Sequence, residues 1–318
     1  MTKSSNQTLD VRISGWGVAL PEKVVTNDEL SQTLDTSNEW ILERSGIAER
    51  RIGGTTSGLA VQAGQLALES AELGPDDIDL LIVATTTPDD QVPSTSSKVQ
   101  HELGLSCGAM DVNAACSGFV YALVTGSGFL QAGCERILLI GAETLSRITD
   151  WEDRSTAILF GDGAGAVVLE SSNGGGQLLG WDLSSSGELR DILFAEIGGT
   201  IYMEGREVFR KAVIAMSESG NTAIANAGVN PEEIALVIPH QANIRIIETS
   251  MKRLGIPLER AIWVGDKTAN TSSASIPIAL GHALSQGQIK KNDLILLVGF
   301  GAGMTAASAV IKWGETNG

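Results

Sequence analysis

The chain has 318 residues, a formal charge of −16, 43% hydrophobic and 19% charged residues, which fits one large globular domain or two fused ones and excludes a disordered chain. The acidic excess argues against general binding to nucleic acid or to anionic membranes. The polar stretch Met1–Asp10 lacks the apolar core of a signal peptide, and no later run reaches the length of a membrane span. The three cysteines, Cys107, Cys116 and Cys134, show no paired or metal-ligand spacing, so reduced thiols in a cytoplasmic protein are expected.

In chain order, Val11–Leu20 reads as a first strand ending at Pro21. Thr36 and Glu39 suggest a capping box ahead of Trp40 and Ile41. Ser57–Leu73 has helical apolar spacing and stops at Gly74-Pro75. Ile78–Ala84 is a near-continuous apolar run, and similar runs follow at Ile137–Ile140, Ala164–Leu169, Ile234–Ile238, Leu294–Val298 and Ala306–Ile311. Such runs, separated by helical segments, predict strands buried on both faces in an α/β layered fold.

The two halves echo each other. "PDDIDLLIVA" starts at 75 and "PEEIALVIPH" at 231, an offset of 156; Cys116 and Asn270, 154 apart, each open an apolar helical segment. "GDGAGAVVLE" from Gly161 is echoed by "GFGAGMTAASAVI" from Gly299 at an offset of 138. Blocks in the same order imply an internal duplication with its seam in Ser171–Gln177. The expected halves are 1–172 and 173–318.

Within "DVNAACSGF", a β-rich segment runs into Cys116 as a helix begins. Free N–H groups and partial positive charge at a helix N-terminus stabilise a thiolate and can face a thioester oxygen. A buried structural cysteine is the commoner use of the residue, and Cys107 and Cys134 read that way. In "VIPHQANIRI", His240 follows a buried strand, at the end where α/β sheets bind ligands, although a hydrogen-bonded boundary histidine also fits. Asn270 in "TANTSSASIPIAL" reads as an N-cap in isolation. The duplication sets it opposite Cys116 across a pseudo-twofold axis.

These pieces, with "DTSNEWILERSGIAERR", "ACSGFVYAL", "DRSTAILFGDGAGAVVLE", "MEGREVFRKAV", "PHQANIRII" and "NTSSASIP", resemble the beta-ketoacyl-acyl-carrier-protein synthase III family over essentially the whole chain. Elongating ketoacyl synthases carry a second histidine where Asn270 stands, and thiolases a late cysteine, which this chain lacks after Cys134. The resemblance implies a thiolase-like fold of two duplicated layered halves (α-β-α-β-α) with mixed sheets. It implies an acyltransferase of fatty-acid synthesis that condenses an acyl-CoA primer with malonyl-acyl-carrier protein, releasing CoA and CO2. Cys116 would carry the primer, and His240 and Asn270 would hydrogen-bond the malonyl thioester carbonyl. The N–H groups of Cys116 and Ala302 would form the oxyanion hole.

The CoA tunnel would involve Thr36, Trp40, Arg44, Arg154, Gly205, Phe209, Ala242 and Asn243. The carrier would dock on Gln241, Ala242, Asn243, Ile244 and Arg245, with Arg210. The basic residues Arg206, Arg210, Lys211, Arg245, Lys252 and Arg253 would form one patch for an acidic carrier. No metal or bound cofactor is implied, since the CoA thioesters are substrates. A homodimer is implied, with Gln91–Gly104 at its interface.

The chain departs from the family pattern at Ala302, at Ala269 in place of the glycine before Asn270, in a short Gly187–Tyr202 stretch, and at Val92. The altered loop raises an alternative, a related condensing enzyme of specialised metabolism with a different primer or extender. A catalytically silent thiolase-fold subunit is a further alternative, disfavoured by the intact Cys-His-Asn set.

Overall fold

A computed structural model describes residues 8–172 and 175–314; positions 173 and 174 of the expected seam lie outside it. In chain order the described strands are β1 (Leu9–Ala19), β2 (Val24–Thr26), β3 (Glu49–Arg51), β4 (Leu80–Ala84), β5 (Gly108–Val112), β6 (Arg136–Thr144) and β7 (Asp162–Ser171). They continue as β8 (Gln177–Ser184), β9 (Leu193–Ala195), β10 (Ile201–Met203), β11 (Ile234–Pro239), β12 (Leu294–Gly301) and β13 (Thr305–Lys312). All six apolar runs are strands, and β4, β6, β7 and β12 are buried along nearly their whole length. Helices cover both faces of such strands, so no polar alternation is needed.

The large sheet has nine strands in the order β11-β12-β13-β8-β1-β7-β6-β4-β5. Reading outward from its middle, each side runs through two antiparallel pairings and then a parallel one, and β5 adds a further parallel strand beyond β4 at one edge. On one side β1 pairs β7, β7 pairs β6, and β6 lies parallel to β4; on the other β8 pairs β13, β13 pairs β12, and β12 lies parallel to β11. β1 and β8 touch through only two residue pairs, Leu9 with Leu178 and Asp10 with Gln177. Three apolar clusters separate the layers. Helix Thr56–Ala71 packs on the β1–β7–β6–β4 face; helices Gly118–Gln131 and Ser275–Ser285 lie between the two arrays; Gly205–Ala227 and Ile244–Leu254 cover the β11–β12–β13 face. This is an α-β-α-β-α stack, the expected thiolase-like architecture. The middle layer is nearly all apolar (Phe119, Leu123, Ile276, Leu280), each fully buried side chain contributing roughly 1.5–3 kcal/mol.

The local structure differs from the sequence expectations at several element ends. Ser37, not Thr36, caps helix Asn38–Ser45 by accepting from the Trp40 N–H, and the Thr36 hydroxyl is buried without a partner among the described residues. The helix expected to stop at Gly74-Pro75 ends at Ala71, with Glu72 left-handed (φ 59°). Strands β2, β3, β8, β9 and β10 carried no strong periodicity. β2 and β3 form one small ribbon and β9 and β10 another, too short for a pattern.

Ala269 lies at φ 56°, ψ −162°, a region that glycine alone adopts freely. The methyl there is strained by up to about 3 kcal/mol. Ala269→Gly removes that strain at the expense of a buried methyl, about 0.8 kcal/mol, and of added unfolded-chain entropy, about 0.4–1 kcal/mol. The net expectation is a gain near 1 kcal/mol, seen as a Tm raised by roughly 1–2 °C in a calorimetric scan. A lowered Tm would show that the chain tolerates alanine there without strain. Ala302 is different: the left-handed residues of its loop are Gly303 (φ 71°) and Met304 (φ 43°), so alanine at 302 meets no such demand.

Candidate active site

The polypeptide reaches Cys116 from β5 through Ala115, a left-handed residue (φ 48°), into a short 3-10 turn, Ala115–Ser117; the α-helix proper starts at Gly118. The C-terminal loop clamps this turn. Ser117 donates to Thr305 O (3.0 Å) and Thr305 donates to Ala114 O (3.0 Å). A Cβ on Gly301 would fall 2.5 Å from the Cys116 nitrogen, so only glycine allows the loop to lie on the cysteine's N–H. A thiol with a lowered pKa was expected here. Instead burial pushes the Cys116 thiol up to about 12, with the Ser272 hydroxyl pulling it down and the Glu143 carboxylate pushing it further up. A thiolate loses its hydration in this interior, which outweighs the partial charge of one turn of helix.

His240 stands at the end of β11, 1% exposed, its N–H held by Val298 O (2.8 Å) and its ring edge-on to Phe300. Nδ1 lies 2.6 Å from Ser275 Oγ. The Ser275 hydroxyl has one hydrogen, which it donates to Ser272 O (2.9 Å). Its oxygen therefore accepts from His240, assigning the Nδ1–H tautomer and leaving Nε2 as a lone pair. Nε2 is buried and makes no hydrogen bond among the described residues. Burial holds the imidazole pKa down at about 3, so the ring is neutral at rest.

Asn270 is tied to the segment before β7: its N–H donates to Leu159 O (2.8 Å) and its carbonyl accepts from Gly161 (3.0 Å). Its side-chain Oδ1 accepts from the Ser272 N–H (2.8 Å), so the NH2 end is the part left for a ligand.

Cys116, His240, Asn270 and Ser272 all line one cavity of about 430 Å³. Its other walls are mostly apolar, among them Leu145, Ile148, Leu193, Phe194 and Met203. Hairpin β9–β10 thus forms part of the cavity, a role not read from the sequence. Of the residues expected along a tunnel, Gly205, Phe209, Ala242 and Asn243 line the cavity, as does Ala302. Thr36, Trp40, Arg44 and Arg154 do not. Trp40, Arg44 and Arg154 form a group alongside it, joined by the Asn243 side-chain N–H donating to Arg44 O (2.9 Å). There Arg44 and Arg154 both lie over the Trp40 ring, at 5.0 and 4.8 Å from its centroid. Arg154 is anchored by donating to Asp35 O (2.7 Å).

Gln241 does not belong to a docking surface. It is fully buried, donating to Pro239 O and Ile262 O and accepting from the N–H groups of Val264 and Gly265. A hydrophilic residue after a strand reads as exposed in sequence, but here its amide satisfies the turn behind His240. Arg245 is exposed and lies over Phe209 (5.7 Å), joining helix Ile244–Leu254 to Gly205–Ala227. Arg210 is exposed but paired to Glu207 at 2.8 Å. Ile244 is half-buried against Gly46.

Ser272, Ser275 and Glu143 join the site without having been expected there. The serines sat in plain view in "NTSSAS", and Glu143 was a lone charge in the buried run of β6. All three cysteines are free thiols. Among the described residues there is no cluster of His, Cys, Asp or Glu able to hold a metal, and no helix long and apolar enough to cross a membrane.

Residues 110–187 match the family described as 3-oxoacyl-[acyl-carrier-protein (ACP)] synthase III, and residues 224–313 its C-terminal counterpart. The chain is 47% identical to a beta-ketoacyl-[acyl-carrier-protein] synthase III of Sinorhizobium medicae, aligned over 95% of this chain and 98% of that one. A Listeria monocytogenes protein of the same description is also 47% identical, over 96% of this chain and 100% of the other. Among solved structures, the 3-oxoacyl-[acyl-carrier-protein] synthase III of Aquifex aeolicus superposes with a TM-score of 0.94 at 46% identity, covering 95% and 100% of the two chains. The priming beta-ketosynthase of the R1128 polyketide pathway is more distant, at 32% identity and a TM-score of 0.92, covering 99% of each chain. Fold, cavity and full-length similarity agree: the chain belongs to the 3-oxoacyl-acyl-carrier-protein synthase III family, acyl-transferring condensing enzymes of fatty-acid synthesis.

Proposed function

We propose that Cys116, His240 and Asn270 together carry out a decarboxylative Claisen condensation of an acyl-CoA primer with malonyl-acyl-carrier protein. The observation that carries this is their convergence on one cavity, with the His240 Nε2 lone pair and the Asn270 NH2 both unspent. As acyl-CoA enters, Nε2 takes the Cys116 proton. The thiolate adds to the thioester carbonyl, the N–H groups of Cys116 and Ala302 receive the oxyanion, and CoA leaves as its thiolate, to be protonated by solvent. Malonyl-carrier protein then loses CO2. The imidazolium Nε2–H and the Asn270 NH2 donate to the enolate oxygen, and the enolate carbon attacks the acyl group on sulphur. The departing Cys116 thiolate recovers its proton from His240. The balance closes with one solvent proton and calls for no metal or bound cofactor.

The apolar walls suit an acyl chain, and the Trp40–Arg154 group outside suits the adenine of CoA. We place the chain in the cytoplasm as a homodimer of two-half subunits, 1–172 and 173–318. In support, Val92 in the segment Gln91–Gly104 is 85% exposed in the single chain, an apolar side chain for a second copy to cover. The test is carrier-dependent CO2 release with a panel of acyl-CoA primers, read together with the mass of the acyl group trapped on Cys116. Absence of carrier-dependent release would sink the reading, and activity confined to an unusual primer or extender would favour the specialised-metabolism alternative.

Arg245, Lys252 and Arg253 are exposed on helix Ile244–Leu254, and the Arg245–Phe209 contact brings Arg206 and Arg210 to the same side. We infer that an acidic carrier docks there, on Ala242, Asn243, Ile244, Arg245 and Arg210. Exposed ion pairs are worth up to about 1 kcal/mol. Arg245→Glu is therefore expected to raise KM for malonyl-carrier protein roughly 3- to 10-fold with kcat unchanged. An unchanged KM would remove the patch from the docking surface.

A further inference from the structure

Glu143 is fully buried in β6, and among the described residues no cation pairs with it. A buried unpaired carboxylate is costly unless its oxygens are saturated with donors. Here they are. Oε2 accepts from the hydroxyls of Thr85 (3.2 Å), Thr86 (3.0 Å) and Thr87 (2.6 Å), and Thr86 N–H lies 3.1 Å from each oxygen. Oε1 accepts from the Ser273 N–H (3.3 Å), and the Ser273 hydroxyl, 2.8 Å from both Oε1 and Ala84 O, is shared between these two acceptors and ties the turn to β6 and β4 together. Four residues therefore direct donors at it. A glutamine would have to point an NH2 at some of these donors, so only an acceptor-only group satisfies the site.

Ser273 is the middle of the turn Ser272–Ala274, which joins the three reactive residues. The Ser272 N–H orients the Asn270 amide, the Ser272 carbonyl takes the Ser275 hydrogen that sets the His240 tautomer, and Ser272 lines the cavity with Cys116. Ser272 itself is left-handed (φ 46°), a conformation that persists only when its surroundings impose it. We propose that Glu143 is a positioning residue for the condensation: it clamps the Ser272–Ala274 turn to β6 and so holds the Asn270 amide, the His240 tautomer and the Ser272 hydroxyl in working register. This rests on the roles given above to Cys116, His240 and Asn270. The other titratable groups of the region are Cys116 and His240 at the cavity and, behind the threonines, Arg147 with its partner Asp89.

Charge and position make opposite forecasts. The Ser272 hydroxyl favours the Cys116 thiolate more than the Glu143 charge disfavours it. If Glu143 acted by charge alone, Glu143→Gln would speed alkylation of Cys116. If it holds the turn, the misplaced Ser272 hydroxyl outweighs the lost charge and alkylation slows.

The experiment measures the iodoacetamide rate at Cys116 between pH 7 and 10, located by peptide mass. It is run on the full chain and on Ser272→Ala, Glu143→Gln and their double variant. Expected are slower alkylation in each single variant and no further slowing in the double. The kcat for condensation should fall on the order of 10²-fold, as displacements near 1 Å do, with KM for acyl-CoA little changed. Faster alkylation in Glu143→Gln, or an unchanged kcat, overturns the proposal. Should Glu143→Gln not fold, Glu143→Asp keeps the charge but withdraws it by one methylene. Slowed alkylation there supports the clamp, and an unchanged rate overturns it. Failure of the wild-type chain to label at Cys116 would overturn the nucleophile assignment, and this proposal with it.

Discussion

Cys116→Ala is expected to form no acyl-enzyme with any acyl-CoA and to lose condensation by at least about 10³-fold, as removal of a nucleophile does elsewhere. Intact-protein mass after incubation with acyl-CoA reads this directly. The wild-type chain gains one acyl mass less a hydrogen, and the variant gains nothing. The other thiols offer no substitute, because Cys107 and Cys134 pack against the apolar clusters and neither lines the cavity. An acyl adduct persisting in Cys116→Ala would overturn the assignment of the nucleophile.

The same thiol bears on stability at high pH. Its folded pKa of about 12 lies above the ordinary 9.0, so the native state binds the proton that the unfolded chain releases. That contribution is complete below pH 9 and is lost as pH rises towards 12. Cys116→Ala should therefore lose less stability than the wild-type chain across that window in denaturant titrations.

The second large effect falls on His240 and Asn270. Asn270→Ala should leave acylation of Cys116 close to normal while slowing malonyl decarboxylation about 10²- to 10³-fold, the usual consequence of deleting an oxyanion donor. His240→Ala should slow both half-reactions, since the same Nε2 first accepts the thiol proton and then donates to the enolate. Single-turnover acylation and CO2 release, measured separately, distinguish the two. Equal loss of acylation in both variants would contradict the division of labour.

A stability signature accompanies His240. Its folded pKa of about 3 lies below the ordinary 6.5, so between these values the unfolded chain binds a proton that the native state refuses. Stability from this group is present above pH 6.5 and is lost as pH falls towards 3. His240→Ala should flatten that part of the Tm–pH curve.

Much of this was legible in the sequence because it depends on local order. The unbroken apolar runs marked strands buried on both faces. The repeated blocks around Cys116 and Asn270 pointed to the duplicated layers, and the Cys-His-Asn set selected the initiating class of condensing enzyme. Other features were not legible because they depend on partners far apart in the chain. Glu143 and Ser273 are 130 residues apart, and nothing around either names the other. Ser272 and Ser275 contact Asn270 and His240 only once the Ser272–Ala274 turn has closed, so their residue types alone do not announce the role.

The sequence by itself determined the family and singled out Cys116, His240 and Asn270 as its candidate reactive set, since these follow from residue types in a fixed order. Only the tertiary structure decided how those groups stand at rest. The helix-start setting argued for a ready thiolate, yet desolvation keeps Cys116 a thiol and His240 neutral. The Ser272–Ser275 hydrogen bonds, not the histidine's neighbours in sequence, choose which ring nitrogen faces the cavity. Gln241, adjacent to His240 and expected at the surface, is withdrawn into the interior, where its amide completes the hydrogen bonds of the turn behind it.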